Sequence, residues 1–495
     1  MHRLLMRFLT LLLLWAVNPF CSADSISENI VKLYVTVNEP SYFTPWQMLG
    51  SYEVEGSGCI VENNLILTNA HVVSDRTFIL AKRSGQTKKY VAEVLFVGHD
   101  CDLALLQVED EEFFPDEQPL RIGSLPRVGD EVAAYGYPNN AEQVTVTRGI
   151  VSRISNETYA HSSVKLLSCQ IDAAINAGSS GGPIISNTRI VGIAMMAGWG
   201  DDEGYMVSVP VIEHFFTDIE DGRYDGFPDL ALNTQSLENP IMQEYYGLTD
   251  ELSGVLIRDV YYRSPAKGLL YPGDVVLQIN RYDVAGDGTV AIRSGERTDY
   301  VYAVQEKQAG EFAHVKVLRD KEVRDIAVKL DFKIFDHNVV HFSQYDHRPK
   351  YYIYGGLVFS VLSENYLRGF GDSWSWRSRA PINLMHARYL ADPNSPKKEI
   401  IVISDILADE VNVGYKKMED EIVRSVNGKE VKSLEELIEA VEENEKEYVL
   451  IETDYRNQII LSREEAEEST ERILENYEIP ADRSEHFRKD QDDSE

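Results

Sequence analysis

Cysteine is nearly absent from this chain, with four residues in 495. One of them, Cys21, lies in an N-terminal leader. That leaves Cys59, Cys101 and Cys169, an odd number, each inside an apolar strand-like run (GSGCIV, CDLALL, LLSCQI). A disulfide-stapled scaffold is excluded, and a chain of this length needs none. The three thiols read as buried and free. No Cys/His spacing fits a metal site, and no glycine-rich loop ends in Gly-Lys-Ser/Thr. Neither a metal nor any other cofactor is therefore expected. Positive charge is also short: 48 Lys and Arg stand against 81 Asp and Glu, a net charge of -33. Such a chain is repelled by nucleic acid and by anionic lipid. Beyond the leader no apolar run is long enough to span a bilayer.

The leader itself has basic residues first, then an apolar run from Phe8 to Val17, then Cys21-Ser22-Ala23 with small residues flanking a cut after Ala23. This is the grammar of a secretory signal peptide over residues 1–23, and it predicts an exported soluble protein. The length suggests about two to four domains. Residues 24–222 read as many short strands, among them VKLYVTV, GCIVENNLILT, VTVTRGIVSRI and RIVGIAMM, which predicts an all-β barrel or sandwich. From residue 223 the texture becomes mixed strand and helix. PGDVVLQINRYDV (272–284) aligns with MEDEIVRSVNGKEV (418–431), placing Asn280 on Asn427. Two copies of one small domain are predicted, over 223–335 and 336–482. The acidic run EELIEAVEENEKE reads as the solvated face of a helix, and the polar tail 483–495 as disordered.

NAGSSGGPI (176–184) carries the chemistry. Apolar strands flank it tightly, so it is not a linker. A serine hydroxyl needs a base to take its proton and backbone N–H groups aimed at the developing oxyanion. Glycines let consecutive N–H groups turn the same way. Ser180 is thus the candidate nucleophile, with Gly178, Ser179 and Ser180 as candidate oxyanion donors. Of 11 histidines, His71 stands out, at the end of the apolar strand in LILTNAHVV. Asp102, in HDCDLALLQV, is the candidate acid, and Asp100 competes two residues earlier. Asn156-Glu157-Thr158 matches a glycosylation sequon, a match common by chance.

The runs GSGCIVENNLILTNAHVV, DCDLALLQV, VGDEVAAYGYP, QIDAAINAGSSGGPI and GYMVSVPV resemble, in order and spacing, the Deg/HtrA serine proteases. The resemblance implies a mainly β chain, with a chymotrypsin-like double β-barrel protease domain over 24–222 and two α+β PDZ-like domains after it. It implies His71 as general base, Asp102 rather than Asp100 as its orienter, and Ser180 as nucleophile. The family usually has Asn where Ser179 stands. By family position Ile175, Ala194 and Met195 line the primary specificity pocket, which implies cleavage after Val, Ala or Leu. Leu230, Ala231 and Leu232 form the expected peptide-binding loop of the first PDZ domain. Family members often have Gly at the position of Ala231, which puts carboxylate capture in doubt. AGDGTVAIRSGER and KVLRDKEV look like the plant-type subgroup, whose divergent second PDZ domain is implied to serve assembly and regulation. The aromatic cluster Tyr42, Phe43 and Trp46 is implied to join a homotrimer or a multiple of it. The implied activity is ATP-independent degradation of unfolded or damaged proteins, with the bacterial periplasm as the compartment. The competing reading is a chaperone or peptide-binding scaffold whose protease domain rests inactive.

Overall fold

Runs of β-branched residues broken by Gly, Asn and Asp turns make residues 30–208 a succession of antiparallel strands. The computed structural model describes residues 26–116, 118–197, 203–249, 251–333, 339–371, 375–390 and 397–488. The leader 1–23 lies outside the described residues. Seven strands form the first sheet, in the order Tyr90–Val91, Arg76–Arg83, Ile30–Val37, Tyr52–Val61, Leu65–Thr68, Leu103–Gln107 and Glu93–Gly98. The two end strands are consecutive in the chain, with only Ala92 between them. The first lobe is therefore closed by a bend in the backbone rather than by a hydrogen-bonded seam. The second lobe is a closed barrel of Thr145–Thr158, Lys165–Ile171, Gly204–Ser208, Arg189–Ala197, Pro183–Ser186 and Glu131–Gly136. Cys59, Cys101 and Cys169 are buried in these lobes and unpaired.

Beyond the helix Val209–Asp218 come the two related units. In the first, Leu232–Ser236, Val255–Val260, Val275–Ile279, Phe312–Arg319 and Glu322–Lys329 form a sheet in that order, with Tyr282–Asp283 paired beside Val275–Ile279. In the second, Val423–Val426 sits between Lys429–Glu430 and Tyr448–Thr453, with Gln458–Ser462 outermost. The aligned asparagines play one role in both. Asn280 and Asn427 have φ of 51° and 52°. Each side chain donates to a helix carbonyl, Ala303 or Ala440, and each carboxamide oxygen accepts a strand amide, His314 or Leu450. Asparagine tolerates the left-handed conformation because its short amide bonds locally. The acidic run folds as the helix Leu434–Glu442, capped by Ser433, with Leu434, Leu437, Ile438 and Val441 turned inward. Among the described residues no helix is long and apolar enough to cross a membrane.

Four of the features read from the sequence take their places here. The aromatic cluster turns inward: Phe43 packs edge-on against Tyr366 and Phe370, with ring centres 5.0 Å apart in both cases. Gly369 makes room for it, since a Cβ there would lie 2.2 Å from the Phe43 ring. Trp46 meets Tyr351, and Tyr42 joins the same seam. These side chains bury against the second PDZ unit of their own chain, the nearest complementary apolar surface. The tail is ordered to residue 488: Ser484 N–H donates to Tyr351, and Arg483 pairs with Glu442 and Asp482. Asn156 is 8% exposed, bonded to Thr298 of the hairpin Thr289–Asp299, and so presents no open acceptor for a sugar. Leu230 and Ala231 are buried. The Ala231 amide donates to the chain's own Asp229 carboxylate, so the expected peptide loop is not an open cradle.

Candidate active site

The strand Leu65–Thr68 ends at Asn69, and the short helix Ala70–Val73 lifts His71 into the cleft between the lobes. Asp102 precedes the strand Leu103–Gln107 in a left-handed turn with φ +55° and is 1% exposed. Its Oδ2 lies 2.8 Å from His71 Nδ1, and its Oδ1 accepts the backbone N–H of His71 at 2.9 Å. Burial by itself pulls the imidazole down. The charge and hydrogen bonds of Asp102 outweigh it and hold His71 above its ordinary value. Burial likewise opposes ionisation of Asp102, but the neighbouring His71 keeps its carboxyl below the usual range. Asp100 is directed elsewhere. Its carboxylate accepts from the Tyr224 hydroxyl and the amides of Cys101 and Phe227.

Ser180 follows a loop whose peptides are fixed one by one. Asn139 N–H holds the Ala177 carbonyl at 2.7 Å, and Gly182 N–H holds that of Ser179 at 3.0 Å. In a trans peptide the N–H points opposite the C=O. The amides of Gly178 and Ser180 therefore face away from these anchors, and among the described residues they donate to no backbone carbonyl. The amide of Ser179 donates to Asn176, so this residue is not available as an oxyanion donor, contrary to expectation. Its amide closes the tight turn instead. Ser180 Oγ donates to the Met195 carbonyl at 3.3 Å, and among the described residues no hydrogen bond joins it to His71.

Sequence reasoning missed the supports. Ser57 is fully buried; its Oγ donates to the Gly178 carbonyl at 2.6 Å and accepts Tyr137 N–H, while its own N–H holds the Ser180 carbonyl. Thr68 Oγ1 in turn donates to the Ser57 carbonyl. Asn69, also fully buried, donates to the Asp102 carbonyl at 2.8 Å. Their signal was present as polar residues inside apolar runs, GSGCIV and LILTNAH, where a buried polar group must have a partner. Ile175, Ala194 and Met195 are at most 5% exposed and belong to the barrel core. Ile175 lies against Gly204, and residues 198–202 lie outside the described residues.

Gly178 itself tests this geometry. Its φ is +91°, and a Cβ would lie 2.4 Å from the Tyr137 carbonyl oxygen. Gly178→Ala is expected to destabilise the fold by about 2 kcal/mol through strain and the clash. Thermal or urea unfolding of the two proteins measures it. An unchanged midpoint would show that the loop has another conformation.

Residues 56–193 match the trypsin-like peptidase domain family, and residues 340–486 the PDZ domain family. The chain is 36% identical to Protease Do-like 2, chloroplastic, of Arabidopsis thaliana, over 93% of this chain and 75% of that one. It is 34% identical to Putative protease Do-like 3, mitochondrial, of the same plant, over 94% and 81%. Among solved structures, an HtrA-type protease AlgW with decapeptide is 23% identical, with a TM-score of 0.47 over 62% of this chain and 96% of that one.

Proposed function

The chain belongs to the Do-like (Deg/HtrA) family of serine endopeptidases, and on that premise we propose that His71, Asp102 and Ser180 hydrolyse peptide bonds of unfolded or damaged proteins without ATP. The observation that carries the reading is the buried Asp102 carboxylate on His71 Nδ1, 2.8 Å away, in the same cleft as Ser180. For Ser180 to act, its Oγ must leave the Met195 carbonyl and turn to His71, and one hydrogen bond of this kind contributes about 1 kcal/mol. Catalytic hydrogen bonds in enzymes without substrate are often long and tighten in the complex. His71 then takes the hydroxyl proton as Oγ attacks the carbonyl carbon. The amides of Gly178 and Ser180 receive the oxyanion. His71 returns the proton to the departing amine, and water repeats the sequence on the acyl-enzyme. By family position Ile175, Ala194 and Met195, core residues in this chain, back the specificity pocket, and their apolar side chains favour cleavage after Val, Ala or Leu.

The PDZ units serve regulation and assembly in this reading, and the assembly is a homotrimer or a multiple of it. Tyr42, Phe43 and Trp46 are half-buried against their own chain, and their remaining surface is the candidate subunit contact. The leader 1–23 directs the chain out of the cytosol. The relatives named above are called chloroplastic and mitochondrial, so an organelle accounts for the leader better than a bacterial periplasm. A second reading, a chaperone with a resting protease site, is favoured by the Ser180–Met195 hydrogen bond alone.

Degradation of unfolded casein, in the absence of ATP and metal, tests the first reading. Cleavage after aliphatic residues is expected by mass spectrometry of the fragments. Fragments ending mainly in Lys or Arg would overturn the pocket assignment. Intact casein kept from aggregating would favour the chaperone.

A further inference from the structure

Asp346 lies far from the protease lobes in sequence, near the start of the second PDZ unit, yet its carboxylate is bonded entirely to protease residues. Its Oδ1 accepts Asp75 N–H at 2.8 Å, and its Oδ2 accepts Arg76 at 2.7 Å and His99 Nε2 at 3.1 Å. The clasp is reciprocal, for Asp346 N–H donates to Asp75 Oδ1 at 2.8 Å. Both aspartates adopt left-handed backbone, with φ of +61° and +50°. Burial opposes ionisation of Asp346, but His99, Arg76 and the Asp75 amide outweigh it and hold the carboxyl at about 2.

The position of these partners matters. Asp75 and Arg76 follow the helix Ala70–Val73 that carries His71, after its cap residue Ser74. His99 stands just ahead of Asp102 on the other arm of the pair. One carboxylate thus ties together the chain downstream of the base and the chain upstream of its acid. A relay continues inward. His99 Nε2 faces Asp346, and its Nδ1 lies 3.0 Å from His161 Nε2, one nitrogen of that pair donating to the other. His161 is 9% exposed, and burial pulls its imidazole down to about 3, so it stays neutral. Its ring centre is 6.1 Å from that of His71. Tyr345 covers the outer face of His161 in a stack at 3.9 Å, and its hydroxyl donates to the His161 carbonyl at 2.9 Å. On the far side the segment is held by the PDZ unit, where Asn365 exchanges two hydrogen bonds with the Gln344 backbone.

We propose that Asp346 and Tyr345 are positioning residues for the His71–Asp102 pair, so that seating of this N-terminal segment of the second PDZ unit on the protease lobes sets the rate of the chemical step. The inference rests on the assignment of His71, Asp102 and Ser180 as the reacting groups. Substrate does not touch either residue. Their effect is on the orientation of His71 and on exclusion of water behind it, where a displacement of about 1 Å costs on the order of 100-fold in rate.

The test uses the full chain and compares wild type with Asp346→Asn, Tyr345→Ala and Tyr345→Phe. Asparagine keeps the volume of Asp346 but brings an N–H₂ group against donors. Phenylalanine keeps the stack on His161. The readouts are kcat and KM on a fluorogenic peptide, the rate of Ser180 labelling by a fluorophosphonate, and the melting temperature. For Asp346→Asn and Tyr345→Ala we expect kcat and labelling to fall together by about 10- to 100-fold with KM nearly unchanged, while Tyr345→Phe stays near wild type. Wild-type kcat and labelling in folded Asp346→Asn would overturn the proposal. So would a rise in KM at constant kcat, which would make the segment a binding element. A wild type that neither cleaves nor labels would overturn the active-site assignment itself, a result distinct from equal labelling in all four proteins.

Discussion

Ser180→Ala should lower kcat by about 10⁶-fold while leaving the fold intact. The change removes the attacking atom and little else. Ser180 Oγ makes one hydrogen bond, to the Met195 carbonyl, and the residue is only partly buried. The anchors of its loop run through main-chain atoms: Ser57 N–H to the Ser180 carbonyl, Gly182 N–H to that of Ser179, and Gly181 N–H to that of Ala194. None involves the hydroxyl, so alanine disturbs none of them. Peptide affinity and melting temperature should therefore match wild type. Covalent labelling by a fluorophosphonate should vanish. Casein cleavage by the alanine variant at more than about a thousandth of the wild-type rate would mean that another group is the nucleophile, since only residual catalysis by binding and the oxyanion amides survives removal of the serine. The buried thiols are poor replacements, since burial pushes Cys169 up to about 12 and Cys59 and Cys101 upward as well.

Asp102→Asn should cost about 10⁴-fold in kcat near neutrality. The reason lies in the two bonds that Asp102 accepts. Its carboxylate receives the backbone N–H of His71 at 2.9 Å and faces Nδ1 at 2.8 Å. Asparagine must keep its single oxygen on the backbone N–H. Its N–H₂ group then faces Nδ1 and forces that nitrogen to accept. The ring proton moves to Nε2, and no lone pair remains there to take the serine proton. The backbone is unaffected, because asparagine accepts the left-handed φ of +55° at this position. The pH profile separates this cause from unfolding. His71 must be neutral to act as base, and Asp102 holds it above its ordinary value near 6.5. Wild-type kcat/KM should therefore fall as pH drops through a midpoint above about 6.5. Without the carboxylate charge, burial prevails and the imidazole goes down. The midpoint of the variant should move to lower pH. An unmoved acidic limb would show that His71 is not the titrating base.

The turn at Ser180 was legible because its requirements are local. Gly178 and Gly181 take positive φ, +91° and +84°, and a run of glycines between apolar strands announces such a turn. The same holds for the two related units, where a strand, an asparagine turn and a helix recur in the same order, with 23 residues from asparagine to helix carbonyl in one and 13 in the other. The choice between Asp100 and Asp102 was different. Both precede the same strand, and resemblance to a family favoured one. The reason became visible only in three dimensions, where Tyr224 and Phe227 occupy Asp100 from a segment more than a hundred residues away.

Ser57, Asn69 and Thr68 were passed over because each looks like an ordinary small polar residue in a strand. Their importance lies in what they face after folding. Ser57 reaches Gly178 across 121 residues of chain, and Asn69 reaches Asp102 across 33. The aromatic cluster was recognisable as adhesive, but apolar area specifies burial and not a partner, and only the fold shows Phe43 against Tyr366 and Phe370 and Trp46 against Tyr351.

What the sequence determined by itself was therefore the set of candidate reactive groups and the conformations their neighbours allow: glycines for positive φ, alternating apolar residues for the barrels, an Asn turn in each of the two related units. These follow from short-range sterics and periodicity, which a linear string carries in full. The tertiary structure decided which acid meets His71, which amides of the 178–180 loop stay unbonded, and which surface the aromatics cover. It also placed Asp346 on residues 75, 76 and 99, across 271, 270 and 247 positions of chain. Contacts over such separations arise from packing of whole domains, where each partner satisfies the other's charge and hydrogen bonds, and no local pattern in either segment records the other.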